Sequence, residues 1–324
     1  MKKIKYSKAI LAAFEKIMSS NKNVFLIGQG LWSPWYVGET MKDLDKKFGK
    51  SRVIDSPVSE NSITGIAMGA SLTKLRPVVI HPRMDFMVLA LDQIVNQAAK
   101  WRSMMGGHSY SNLTIRSIIN RGGEQGAQHS QSLHSWLSHI PGLIVLMPSS
   151  VQDAYDLLLS AISSNNPTVY IDDRWLYDEI DYLNKKRKKI NILKLKPKKI
   201  FSGNNLTIVG CGYGTKVGKE VGIELKKNNI KSDLFDLRIL NPLNLKEIVK
   251  SVNKTNKLVV IDPAWKNCSI SSEVIATVSE NIDKKFKSLR FNLLDAPAPT
   301  AKNLEKQFYF NKTQITKKIK SKFF

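Results

Sequence analysis

The stretch Ile118-Ile119-Asn120-Arg121-Gly122-Gly123-Glu124-Gln125-Gly126-Ala127-Gln128-His129-Ser130-Gln131 follows an apolar run and precedes a helical pattern. Leu113 to Ile119 reads as a strand and Ser132 to His139 as the next helix, while the glycines between them permit backbone conformations closed to other residues. His129 therefore sits at the mouth of a strand–loop–helix unit. Ligand sites of open α/β sheets form beyond the carboxyl ends of the strands, and histidine is the side chain that titrates nearest neutrality. Two readings of His129 stand at this point: a group that meets substrate, or a histidine packed in a tight turn.

The same alternation extends in both directions. Toward the N-terminus lie a helix capped by Ser7, with Ile10, Leu11, Phe14, Ile17 and Met18 on one face, the strand Val24 to Ile27, the strand Val53 to Asp55, a helix with Glu60 in its first turn, the strand Pro77 to His81 and a helix from Phe86 to Trp101. Toward the C-terminus follow strand 143 to 147, helix 151 to 163 and strand 168 to 172. Strands alternating with helices imply an α/β protein with a mainly parallel sheet covered by helices on both faces. A basic stretch, Lys185-Lys186-Arg187-Lys188-Lys189 and the lysines after it, separates this from a second α/β pattern beginning at Leu206. The expected organisation is a domain over 1–183, a linker over 184–204 and a smaller α/β domain over 205–324. Gly210-x-Gly212-x-Gly214 departs from the dinucleotide fingerprint and fits a tight strand-to-helix turn equally well.

Composition narrows the function classes. A 324-residue chain with 42% hydrophobic residues has ample material for buried cores. The opening Met1-Lys2-Lys3-Ile4-Lys5-Tyr6 reads as a basic lead-in to a helix with no apolar export segment, and no run approaches the ~20 apolar residues that span a bilayer, so a cytoplasmic protein is expected. Cys211 and Cys268 have no metal-ligand spacing, and no metal is assigned to this chain. The net charge of +23 raises the question of nucleic acid, but the basic run lacks interleaved aromatics and reads as solvated linker.

Several blocks in order, Asp55-Ser-Pro-Val-Ser-Glu60, Leu91-Asp92-Gln-Ile-Val-Asn96-Gln-Ala-Ala99, Ala127-Gln-His129-Ser-Gln131, Ile140-Pro-Gly142 and Asp295-Ala-Pro-Ala-Pro-Thr-Ala-Lys-Asn-Leu304, resemble the beta subunits of thiamine-diphosphate-dependent 2-oxo-acid dehydrogenases of pyruvate dehydrogenase type. The resemblance implies a transketolase-like pyrimidine-binding domain followed by a transketolase C-terminal-like domain. It implies that Glu60 bonds the aminopyrimidine ring of thiamine diphosphate and that Phe86 stacks on it. A carboxyl at that ring nitrogen favours the imino tautomer needed to activate the cofactor. His129 is then expected to meet the substrate and to serve acyl transfer to a lipoyl group. The family's Gly-Asp-Gly…Asn-Asn motif for diphosphate does not occur here, which implies an alpha subunit that holds magnesium and completes an alpha2-beta2 heterotetramer, with a lipoyl acyltransferase as a further partner. The loop His81-Pro82-Arg83-Met84-Asp85 is unlike the usual one and makes His81 and Arg83 candidate contacts for a 2-oxo acid. Arg83 could equally pair with Asp85 or another acid. Gln29-Gly30 and Ser164 also depart from the family pattern, the first from an acidic pair and the second from an aspartate at a potassium site. Alternative readings are a stand-alone transferase that passes the acyl or aldehyde unit to another acceptor in biosynthesis, and a non-catalytic scaffold of the same fold.

Overall fold

A computed structural model describes residues 2–186 and 190–324; Arg187, Lys188 and Lys189 of the basic run lie outside the described residues. The chain forms two compact units, Met1–Asn120 with Trp136–Leu195, and Arg121–Ser135 with Lys196–Phe324. The segment that bears His129 thus groups with the second unit, whereas a boundary drawn on composition leaves it in the first. Among the described residues no helix is long and apolar enough to cross a membrane.

In the first unit, parallel strands run in the order Ile144–Leu146, Thr168–Asp173, Thr114–Ile119, Arg76–His81, Val24–Gly28, Val53–Asp55. Their residues are almost all buried, the pattern of strands covered on both faces. Helix Tyr6–Ser20 starts one residue before its expected Ser7 cap, after Lys5, and no side chain caps it. Lys2–Lys5 is not a lead-in to that helix but a strand, paired antiparallel with Ile180–Leu183. Nothing in Lys-Lys-Ile-Lys favours a strand, so the tertiary partner decides its conformation.

The second unit holds a five-stranded sheet ordered Lys287–Leu293, Lys257–Trp265, Leu206–Gly210, Ser232–Asp236, Lys198–Phe201. The last strand is antiparallel and lies inside the stretch expected to be linker. Its lysines hide it from periodicity, since only Ile200 and Phe201 give it an apolar side. Helix Tyr213–Lys226 and the C-terminal helix Lys312–Phe323 contribute Val217, Val221, Leu225, Ile315, Ile319 and Phe323 to the core over this sheet. Gly210-x-Gly212-x-Gly214 is the tight strand-to-helix turn: a Cβ on Gly210 would come within 2.7 Å of the Thr215 backbone.

At the centre of the first sheet Arg116, with no exposed surface, makes a fork onto Asp172, Nε to Oδ1 at 2.9 Å and Nη2 to Oδ2 at 2.7 Å. Its Nη1 donates to Thr40 Oγ1 at 2.8 Å, and Tyr177 donates its hydroxyl to Asp172. Burial alone lowers the guanidinium pKa; Asp172 and Tyr177 outweigh it and hold the pKa above its ordinary value. Removing one member leaves the other charge buried and unpaired. We expect Arg116→Met to cost about 3–5 kcal/mol in urea unfolding, and Arg116→Met with Asp172→Leu to cost less than the single change.

Candidate active site

Adjacent strands of the first sheet end in polar residues: Gln29 after Gly28, Ser56 after Asp55, His81 itself, and Asn120 after Ile119. Gly28 lies between Asp55 and Ile80 in register, and Ser56 N–H donates to Gly28 O at 2.9 Å. At each of these ends a buried side-chain atom has no hydrogen-bond partner among the described residues: Gln29 Nε2, Ser56 Oγ, His81 Nδ1 and Asn120 Oδ1. Such atoms are costly in a folded protein, and a run of them along one sheet edge marks a place where stability has been given up for function.

Glu60 stands beside this row as the first residue of helix Glu60–Ser71. It is 6% exposed, and its carboxylate has neither hydrogen bond nor ion pair among the described residues. The helix N-terminus favours its charge, which is the bland role such a residue could have, but leaves its oxygens open to a donor. Thr64, one turn on, donates its hydroxyl to Glu60 O at 2.7 Å and lies 3.2 Å from His81 Nε2. With the one hydroxyl proton committed to the carbonyl, the His81 contact requires Nε2–H, which leaves Nδ1 as a lone-pair acceptor. Burial lowers the His81 pKa to about 4, so the ring is neutral at neutral pH. Thr64 thereby links the main chain of Glu60 to the ring of His81 at one end of the sheet.

The chain leaving His81 carries the other expected residues. Arg83, half-buried with extended backbone, precedes the short helix Met84–Met87, and Phe86 within it keeps 37% of its surface exposed. The single helix expected from Phe86 to Trp101 is instead a succession: Met84–Met87, a 3-10 turn at Val88–Ala90, a π-helical Gln93–Ala98 and an α-helical Ala99–Met104. Insertions of π-helix recur at functional sites, and sequence periodicity does not reveal them.

His129 belongs to the second unit. It ends a 3-10 turn, Ala127–His129, half-buried, and the helix expected over 132–139 is only His134–Ser138. Gly122, Gly123, Glu124 and Gly126 all have left-handed φ, 71°, 69°, 62° and 73°. Below this loop lies a network that sequence reading missed. His134 Nε2 and Asp262 Oδ1 are 2.8 Å apart, Ser132 Oγ lies 3.2 Å from His134 Nδ1, and Asp262 Oδ2 accepts from Ser271 N–H at 3.0 Å. Arg121 donates to Ser132 Oγ at 3.2 Å and to Pro263 O at 3.3 Å. Cys211 completes a buried His–Cys–Asp group of metal-ligand type. His134 and Asp262 are bonded to each other, however, and burial, with Asp262 and Asp236, pushes the Cys211 thiol well above its ordinary pKa. No spacing in the sequence joins residues so far apart.

Residues 2–178 match the transketolase pyrimidine-binding domain and residues 196–315 the transketolase C-terminal domain. The chain is 34% identical over 306 residues to the beta subunit of acetoin:2,6-dichlorophenolindophenol oxidoreductase of Bacillus subtilis, covering 91% of this chain and 86% of that one. It is 32% identical over 319 residues to the mitochondrial pyruvate dehydrogenase E1 component subunit beta of Saccharomyces cerevisiae, covering 96% and 87%. Among solved structures, a split-gene transketolase described as an inactive beta4 tetramer superposes with a TM-score of 0.79 at 16% identity, covering 98% of this chain and 97% of its own. Transketolase of Campylobacter jejuni gives 0.74 at 12% identity over 99% of this chain and 47% of that one. At these identities the two structures speak for the fold alone. Sequence and fold together make this chain a member of the beta-subunit family of thiamine-diphosphate-dependent 2-oxo-acid dehydrogenases.

Proposed function

We propose that this chain is the pyrimidine-binding half of a pyruvate-dehydrogenase-type enzyme that decarboxylates a 2-oxo acid and passes the acyl group to a lipoyl acceptor. The observation that carries the reading is the buried Glu60, whose carboxylate has no hydrogen bond or ion pair among the described residues, on the helix whose Thr64 meets the neutral His81. These groups fit an aminopyrimidine, whose ring nitrogen and amine are hydrogen-bonding groups on an otherwise flat apolar body. Thiamine diphosphate, when bound, supplies a nucleophilic carbon for the 2-oxo carbonyl and an electron sink for the decarboxylation.

The chain's own residues prepare that chemistry. Glu60 holds a proton at the pyrimidine ring nitrogen, and its seat at a helix end in low dielectric strengthens the bond. Phe86, 37% exposed, supplies the aromatic ring for stacking on the pyrimidine. Arg83, on the loop beyond His81, contacts the 2-oxo acid, a task the acceptor nitrogen of the neutral His81 does not suit, and His129 acts on the substrate after it enters. An alpha subunit supplies the magnesium and diphosphate site, in an alpha2-beta2 assembly that delivers acyl groups to a lipoyl acyltransferase. The named relatives differ in substrate, acetoin against pyruvate, so a panel containing both fixes the substrate class.

Calorimetry with magnesium should find thiamine diphosphate binding strongly to the assembled enzyme and weakly to this chain alone; micromolar binding by the isolated chain would remove the split-site reading. Glu60→Gln in the assembled enzyme should preserve assembly and lower turnover at least ~100-fold, the scale of a lost acid–base group. Turnover near wild type would reduce Glu60 to a helix-end charge. His129→Ala should retain cofactor affinity and lose turnover, whereas equal loss of both would mark a structural residue.

The neutral state of His81 has an acid signature. Its folded pKa of about 4 lies below the ordinary 6.5, so between these values the unfolded chain binds the extra proton. The associated stability is complete above that upper value and drains away as pH falls toward the lower. His81→Gln should remove roughly 3 kcal/mol of this acid destabilisation, read as the change in urea-unfolding free energy between neutral pH and pH ~4.

A further inference from the structure

The motif Asp295-Ala-Pro-Ala-Pro-Thr-Ala-Lys-Asn-Leu304 has no part in the chemistry above, yet this segment and the helix Lys302–Phe308 lie against the loop that bears His129. Gly126 faces Thr300 so closely that a Cβ would come within 2.7 Å of its Oγ1. Glu124 N–H donates to Glu305 Oε1 at 3.0 Å, and Gly122 N–H donates to Tyr309 Oη at 3.3 Å. Glu305 lies in that helix and Tyr309 follows its last residue, donating its N–H to Glu305 O at 3.3 Å, and both side chains are buried. The Tyr309 hydroxyl also adjoins Ser130, the residue after His129. Burial raises the phenol pKa, and the Gly122 N–H and Ser130 oppose it. Tyr309 therefore holds the loop by a hydrogen bond at Gly122, ahead of His129.

These contacts meet the part of the loop least able to hold its own shape. Gly122, Gly123 and Glu124 are successive left-handed residues, and Glu124 is not a glycine. Such backbone persists only where its surroundings over-determine it. A carboxylate accepting from the strained residue's own N–H is the stronger kind of hydrogen bond for that purpose. Arg121 and His134 secure the flanks through Pro263 O and Asp262, and Glu305 and Tyr309 hold the left-handed segment at Glu124 and Gly122.

We propose that Glu305 and Tyr309 are positioning residues that fix the place of His129, and that the Asp295–Leu304 motif serves to present them. The inference rests on the reading of His129 as a group that meets substrate. Its test uses the full chain assembled with its alpha subunit, in Glu305→Ala, Glu305→Gln and Tyr309→Phe forms. Hydrogen exchange of the amides of residues 121–131 should quicken about 10-fold in Glu305→Ala, and less in Glu305→Gln, which keeps an acceptor, with the strands of the second sheet unchanged. With pyruvate or whichever 2-oxo acid the panel identifies, kcat should fall about 10-fold in Glu305→Ala with KM unchanged, and Tyr309→Phe should act in the same direction. In a His129→Ala background the same substitutions should have no further effect on kcat. Unchanged exchange over 121–131, or losses that add to that of His129→Ala, would overturn the proposal. If the wild-type assembly turns over no 2-oxo acid, the functional reading fails, and the exchange measurement still decides whether the two residues hold the loop.

Discussion

The first unit depends on a pair of opposite charges placed where neither could survive alone. Arg116 and Asp172 sit on neighbouring strands in the middle of the parallel sheet, without exposed surface. The pair reaches three separate parts of the chain. Thr40 ties in the connection after the first sheet strand, Tyr177 ties in the turn after the last, and the Tyr6 ring stacks on Tyr177 at 6.2 Å, bringing in the N-terminal helix. Gly38 has left-handed φ and lies so close to the Tyr177 ring that no side chain would fit there. A hydrophobic cluster of the same volume could stabilise as much, but it would not fix these segments in one relative position as directional bonds do.

That rigidity bears on the edge where the strands end. His81, Gln29, Ser56 and Asn120 carry buried polar atoms that the described chain does not satisfy, and groups of this kind collapse onto one another unless the backbone holds them apart. In the second unit the buried polar groups around His134 and Asp262 have found one another instead. The two clusters look alike in composition, with histidine, carboxylate and hydroxyl in each. Satisfaction separates them: a closed network stabilises its own unit, and an open row can give its hydrogen bonds to a ligand.

Much of this was legible in the sequence where local pattern and global fold agree. Val24 to Ile27 and Pro77 to His81 are compact apolar runs that end where the structure ends them, within a residue. Glu60 was readable because a helix start and a motif coincide on it. Lys2–Lys5 and Lys198–Phe201 were not, because lysine-rich strands have no propensity of their own and depend on partners remote in the chain. The π-helical Gln93–Ala98 has ordinary helical composition. The open acceptor of His81 was illegible for a different reason: it follows from where a single Thr64 proton goes, and that is a fact of geometry.

The lysine-rich strands also say something about life in solution. Lys198–Phe201 is the outermost strand of the second sheet, and an outer strand offers unpaired N–H and C=O groups to any other chain that arrives. Lys198 and Lys199 stand exposed along it, in a chain of net charge +23. Two copies approaching edge to edge must bring like charges together before any hydrogen bond can form. The barrier is electrostatic and so lasts only as far as the ionic atmosphere allows, about 10 Å in 0.1 M salt and about 3 Å in 1 M. The guard on this edge is thus tied to ionic strength, independently of how firmly either unit is folded.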